Sequence, residues 1–535
     1  MKKRNKVLAE NITVPYKAGE SSENADAAAL DKASKKLRRA FGKNPSELHI
    51  YRKSIDARRR DAIRFVYSVC AELELDEDAI KARSADGFKL YKNSSFDYTV
   101  GTRPLEERPV IVGFGPAGMF CALALAAGGF RPVVYERGGA VEDRVAALER
   151  FITSGVLDTE CNVQFGAGGA GTFSDGKLTT RINDPLGAYV LETLVSLGAP
   201  EDILYKAKPH IGSDVLRRVV ACADEKIRAL GGDIVYNSRV SLVGDRAFVN
   251  GDELPYGVLV LAVGHSARDT YTELLTSGYV LEAKPFSAGV RIEHLQGDLD
   301  RAMFGDFAGD ASLGRAEYNV SLRSGERGVY SFCMCPGGEV MAAASEEGTV
   351  VTNGMSNRSR NGKNANAALA VSVLPSDFGG DVRGAIEFQR NLERAAFKAA
   401  GSDYSAPAQS VGSLLDGTSP ALSDRISPTY MRGKVTPCDL TKILPTFITD
   451  MLKDGIRYFG RRIAGFDSAD VPLTGVETRT SAPVRIMRSE SYTALSNDRV
   501  YPCGEGAGYA GGIMSAAVDG LRVARAVMEK YAPNA

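Results

Sequence analysis

Three stretches of the chain carry the spacing Gly-x-Gly-x-x-Gly, and only one sits where that spacing does chemistry. Gly113-Phe114-Gly115-Pro116-Ala117-Gly118 follows an apolar strand-like run at 108–112 and opens a helix-prone stretch from Pro116 to Ala127. A second strand-like run, 132–136, ends on Glu136. That strand–turn–helix–strand context is the one a dinucleotide pyrophosphate requires. Gly113 permits the tight turn, Gly115 lets backbone amides close on phosphate, and Gly118 lets the helix pack against the strand. The helix N-terminus stabilises the phosphate charge. Glu136 can accept hydrogen bonds from a ribose and disfavours a 2′-phosphate.

The other two runs read differently. No strand precedes Gly166-Ala167-Gly168-Gly169-Ala170-Gly171, and TFSDGKLTTRINDP after it has no helical pattern. It is not a second nucleotide-binding unit. Flexible glycines followed by Ser174, Asp175 and Lys177 suit close backbone approach to a flat ligand or phosphate, with a plain loop as the alternative. Gly506-Ala507-Gly508-Tyr509-Ala510-Gly511 lies between a strand at 499–503 and a helix at 513–531. With no room for a further paired strand, it is expected to return to the first unit, aiming Glu505 and a helix N-terminus at the far end of the same ligand.

Cys333 and Cys335, two apart on a strand, would share one face; buried structural cysteines are favoured over a redox pair, because a CxC disulfide is strained. The four histidines (His49, His210, His265, His294) show no ligand spacing, so no metal is expected. His265 could touch the ligand or be a satisfied structural histidine. Arg479, Thr480, Ser481 and Arg485 precede the last strand, where an arginine could bind an anionic substrate. Arg479 and Lys177 are the candidates for catalysis.

The elements that must hold these residues divide the chain into four spans. Residues 1–100 read as a small α/β module, with Leu30, Ala33, Leu37, Ala40 and Phe41 at helical spacing before Gly42 and strands near 49–51 and 63–69. Its basic cluster (Lys53, Arg58, Arg59, Arg60, Arg64) reads as a solvated turn, with docking to an acidic partner or RNA as the alternative. The nucleotide unit takes 101–283 and 465–535, including a hairpin at 248–254 that turns on Asn250-Gly251 and a buried strand at 257–263. Between them, 284–464 forms a substrate or cap unit with a long loop at 353–366 and a helix near 381–400. Lys plus Arg equals Asp plus Glu at 66 each, which argues against a constitutive nucleic-acid or anionic-membrane binder. No run approaches the ~18 apolar residues of a spanning helix. The basic start, MKKRNK, is interrupted by Glu10 and Asn11 before any signal-peptide stretch forms. Eight cysteines without a CxxC resemble neither a disulfide framework nor a zinc site, so a soluble cytoplasmic protein is expected.

IVGFGPAGMFCALALAAGGFRPVVYERG resembles the opening of FAD-containing oxidoreductases with a glutathione-reductase-like FAD domain. LVLAVG at 259–264 and Cys503-Gly504-Glu505 with Gly511-Gly512-Ile513 resemble the later motifs of that fold, with Glu505 where Asp is more frequent. FGAGGAGTFSDGKLTTR, SFCMCPGGEVMAAASEEGTVVTNGMS, ETRTSAPVRI and CGEGAGYAGGI resemble a bacterial family of FAD-dependent dehydrogenases of unknown substrate. The resemblance implies an α/β protein with a discontinuous Rossmann-like FAD domain, an inserted α+β cap domain and the N-terminal module. In it Gly113, Gly115, Pro116, Ala117 and Gly118 would hold the pyrophosphate, Glu136 the ribose, and Arg137 would lie near adenine or the phosphates. Val240, on the strand after the helix that ends near Gly231, would offer its backbone to adenine, and Gly264 would pack beside the nucleotide. Gly168, Gly169, Gly171, Ser174 and Lys177 would approach the cofactor. Gly504 and Glu505 would bind ribityl or pyrophosphate oxygens, while amides around Gly511, Gly512 and Ile513 would face the flavin pyrimidine edge. The implied reaction is hydride transfer between flavin N5 and a small-molecule substrate, with NAD(P)H bound transiently over the flavin or another electron donor in its place. The alternatives are a flavin-dependent RNA-modifying enzyme and a non-catalytic flavin-binding protein.

Overall fold

A computed structural model describes residues 4–92, 95–180 and 184–533; residues 1–3 of the MKKRNK reading and 181–183 of the TFSDGKLTTRINDP reading lie outside them. Five short strands form a parallel sheet in the order Val500–Pro502, Leu259–Leu261, Val110–Val112, Val133–Tyr135, Asp233–Val235. Alternate residues point to opposite faces. Ile111, Val134, Val260 and Tyr501 join one core, and Val110, Val112, Leu259, Leu261 and Val500 the other. The helix Pro116–Ala127 is buried at every position from 117 to 126. It packs in the same core as the C-terminal helix Ile513–Lys530. Pro116 stands at the first helical position, where its missing N–H costs nothing and its fixed φ suits the helix.

A seven-stranded sheet lies beyond, in the order Ser321–Ser324, Arg327–Cys335, Asn364–Val373, Phe286–Leu295, Pro472–Glu477, Ala406–Ser410, Val435–Pro437. Pro472–Glu477, expected in the final span from 465, is a strand of this sheet, so the return to the parallel sheet comes after it. The segment 353–366 is also a loop only at its centre, because Thr352–Met355 and Asn364–Val373 are strands. Its polar residues hide the pattern: Asn353 and Asn366 accept hydrogen bonds from the buried Arg291, and Asn364 donates to Glu293.

The N-terminal module is a four-stranded antiparallel sheet in the order Ser46–Asp56, Arg64–Glu74, Arg4–Pro15, Phe88–Tyr91, with helix Ser22–Phe41 contributing to its core. Arg4–Pro15 is a central strand that its charged start disguises. Its register shifts between Ala9 and Ile12, which places Glu10 and Asn11 (φ +58) in a bulge. The module packs Ile12, Phe65 and Tyr67 in one core with Phe304, Leu313 and Ala316. No helix among the described residues is long and apolar enough to cross a membrane.

Candidate functional site

The C-terminal edge of the parallel sheet and strands of the seven-stranded sheet enclose a cavity of about 1170 Å³. At one end lies the first glycine turn. Gly113 has φ +101, its N–H donates to Tyr135 O at 2.8 Å, and a Cβ there would fall 2.4 Å from Ala262 O. Gly118 has its own constraint, since a Cβ would meet Gly113 O at 2.0 Å. Gly115, Pro116 and Ala117 line the cavity beside Gly113, and no side chain caps the helix that starts there.

The second glycine run folds over the first. Gly168 N–H donates to Phe114 O at 2.8 Å, and a Cβ on Gly169 would stand 3.0 Å from the Gly115 Cα. Gly169, Gly171, Ser174 and Lys177 line the cavity, whereas Gly168 and Gly118 do their work in the backbone packing behind it. Glu136, also on the cavity, is only 4% exposed, and it fastens the two runs together. Its carboxylate accepts from Phe114 N at 2.8 Å, Gly138 N at 3.0 Å and Gly166 N at 2.8 Å.

Two residues at this end have particulars of their own. Arg137 lines the cavity, yet its guanidinium is held by Glu160 and Asp269 at 2.8–3.1 Å and lies over the Phe165 ring at 4.0 Å. Its charge is already matched. Val240 begins the strand Val240–Val243, one strand later than expected, because Asp233–Val235 follows the helix Ser213–Ala229 first. It still lines the cavity.

At the other end, Gly264 and Gly506 approach so closely that a Cβ on Gly506 would meet Gly264 O at 2.5 Å. The buried Tyr271 hydroxyl lies 2.8 Å from Gly506 O and 3.1 Å from Gly264 O. This contact brings Glu505 within 4.0 Å of His265 Nδ1. Gly504 lies behind the cavity, donating to Asp519 at 2.7 Å, and Arg488 holds Asp519 in turn. Gly511, Gly512 and Ile513 line the cavity, and the C-terminal helix starts at Gly512 with no side-chain cap. A Cβ on Gly511 or Gly512 would meet nothing within 4 Å.

Burial pushes the Glu505 carboxyl up to about 7, against the pull of Lys284 and the Gly512 backbone, with Cys333 adding to the rise. Burial lowers Lys284. Burial, with Arg479 and Arg268 nearby, lowers His265 to about 3, so its imidazole is neutral. His265 Nε2 is buried without a partner. Lys284, Tyr271 and Asp519 belong to no motif, and nothing in their sequence neighbourhood marks them.

Arg479 reaches the cavity but is not free for a substrate. It and Arg268 share the fully buried Glu393, with Arg479 at 2.9 and 3.1 Å and Arg268 at 2.6 and 2.9 Å. Burial alone would raise the Glu393 carboxyl, but the two guanidiniums outweigh it and hold it well below the usual carboxylate range. Lys177 stands 3.5 Å from Glu317. Cys335 is buried as expected, but Cys333 lines the cavity, because a bulge breaks the strand alternation there. Among the described residues no group of His, Cys, Asp and Glu could hold a metal ion.

An uncharacterized protein of Clostridium beijerinckii (strain ATCC 51743 / NCIMB 8052) is 44% identical over 499 residues, covering 91% of this chain and 93% of that protein. The chain belongs to its family. Residues 285–480 match the family described as FAD-dependent protein, C-terminal domain-like, and residues 11–72 match a domain of unknown function, DUF8436. Solved structures with some likeness include iminodiacetate oxidase (IdaA) from Chelativorans sp. BNC1, at 12% identity and TM-score 0.34 over 80% of this chain and 100% of that one. CtdE in complex with FAD gives 12% identity and TM-score 0.29 over 78% and 82%.

Proposed function

We propose that this protein is an FAD-dependent oxidoreductase that transfers hydride between flavin N5 and a small organic substrate. One observation carries the reading: a single cavity joins the glycine turn and Glu136 to Glu505 and the open helix start at Gly512. The chain's groups fit such a cofactor. Two uncapped helix N-termini face the cavity, each with unpaired amides and a partial positive charge. Three of about four acceptor sites on Glu136 are filled, leaving one for a ribose hydroxyl. His265 Nε2 awaits a partner.

A bound flavin would supply the hydride chemistry, while the protein positions and tunes. Gly115 and Gly512 admit the ligand without a side chain in the way. Glu505 can take or return a proton near neutral pH, and neutral His265 beside it offers one N–H and one lone pair. Glu477 and Lys177 give the cap side of the cavity polar groups that a substrate can meet. No second strand–glycine turn–helix–strand unit occurs among the described residues, so NAD(P)H, where it is the donor, binds transiently over the flavin, and another electron donor can take its place. The RNA reading has less support, since Arg58 and Arg64 bind Asp56, Arg59 binds Asp61, and Lys53 pairs with Asp26. Purified protein is expected to be yellow and to release one FAD per chain on denaturation. Release of FMN or NAD alone would overturn the proposal.

A further inference from the structure

Cys333 occupies a distinctive place in the cap sheet. Between Phe332 and Cys335 the strand loses register: Phe332 faces Ala368 and Cys335 faces Asn366, three steps on one strand against two on its neighbour. Cys333 adopts φ +44 within this bulge, a region few non-glycine residues visit. Arg291 Nη1 holds its carbonyl at 2.9 Å, and the Cys335 thiol lies 3.4 Å from the same oxygen. Arg291 is fully buried and anchored on Glu477 and Asn366. Gly354 leaves it room, since a Cβ there would fall 2.4 Å from Nη1. The result is a half-buried thiol on the cavity, with the buried Cys335 behind it donating its thiol to the Cys333 carbonyl.

We propose that Cys333 and Cys335 form a redox-active dithiol on the cap side of the cavity, which becomes a disulfide as its electron pair passes to oxidised flavin. The proposal rests on the FAD reading above. A regular strand would hold the two Cα atoms ~6.6 Å apart, near the ~6.8 Å outer limit for a disulfide. The bulge sets three residues against two here, and the Cys335 thiol already turns back onto Cys333, 3.4 Å from its carbonyl oxygen. In the step, the Cys335 S–H bond breaks and a sulfur–sulfur bond forms to the Cys333 thiolate. The flavin takes two electrons and one proton, and the proton that Cys333 shed beforehand has gone to solvent. The hydrogen bond from Cys335, with Arg291 and Lys177, outweighs burial and holds Cys333 below the ordinary thiol range. Cys121 and Cys503, buried in the core under the parallel sheet, are pushed up instead.

The test counts electrons and hydrogens rather than turnover. After mild oxidation with diamide, the holoprotein is titrated anaerobically with dithionite. Wild type is expected to take up two electron pairs per chain, and Cys335→Ser one. Cys222→Ser, which removes an exposed thiol away from the cavity, should match wild type. The tryptic peptide 328–358 contains both cysteines. It should lose two hydrogens and refuse N-ethylmaleimide after diamide, then accept two labels after reduction. Flavin-loaded protein that takes up one pair, with both thiols still labelled after diamide, would overturn the dithiol and leave the FAD reading intact. Protein that never binds flavin would sink the FAD reading and the electron transfer with it.

Discussion

Glu136 and Glu505 both follow strands of one parallel sheet, and neighbouring strands in a sheet lie ~4.8 Å apart. Three places separate their strands, so the two carboxylates face the cavity from positions ~14 Å apart across the sheet. Glu136 accepts three backbone N–H bonds and is held in place by them. Glu505 has one backbone partner, at Gly512, and a half-buried lysine nearby, and its carboxyl is pushed up to about 7. The donors around a buried carboxylate thus decide its use. Glu136 can be a fixed brace and acceptor, whereas Glu505 can change its charge.

Removing the brace is expected to cost most. Glu136→Ala would leave three buried amides without an acceptor at about 1–3 kcal/mol each, so the cofactor-free protein should lose about 3 kcal/mol or more. Glu136→Gln, which keeps one acceptor oxygen, should recover part of that loss. A thermal melt of both variants checks this, and an unchanged midpoint for Glu136→Ala would erase the distinction between the two carboxylates.

The Glu505 end should respond to pH instead. Its folded-state pKa is raised, so the folded protein holds a proton that the unfolded chain releases above ~4.5. Its contribution is complete below that pH and is lost as pH rises through about 7. A shift of that size corresponds to up to about 3 kcal/mol. The melting temperature of the cofactor-free protein should therefore fall from pH 5 to 7 relative to Glu505→Gln, which lacks this titration; parallel curves for the two proteins would break the comparison.

Gly512→Val should act on the ligand more than on the fold. The site has open space, but φ is +127 there, and forcing a β-branched residue into it costs about 1–3 kcal/mol. FAD affinity is expected to drop about tenfold or more, read by equilibrium binding to the cofactor-free protein. Arg58→Ala provides the smallest effect, away from both carboxylates. Its partner Asp56 keeps Arg64, so neither the melting temperature nor FAD affinity should move measurably.

Local patterns were readable where a residue's role depends on its chain neighbours. The turn at Gly113, the helix Pro116–Ala127, the cap at Gly42 and the hairpin at Asn250-Gly251 rest on backbone preferences that act over a few residues. The polar runs misled because their partners are distant in the chain. Asn353, Asn364 and Asn366 look like loop residues until Arg291 and Glu293 stand opposite them. Arg479 looks like a substrate ligand until Glu393, 86 residues away, claims it.

The sequence by itself determined a tight glycine turn that opens a helix, a carboxylate at the following strand's end and a glycine-led helix near the C-terminus. Short-range sterics dictate all three. Only the tertiary structure decided that the second glycine run packs on the first, that Lys284 and His265 gather around Glu505, and that a bulge turns Cys333 toward the cavity. These depend on which distant segments share a buried space, where unmatched charge and unmet hydrogen bonds are costly. That cost follows from the packing of the whole chain, and no short stretch of sequence contains it.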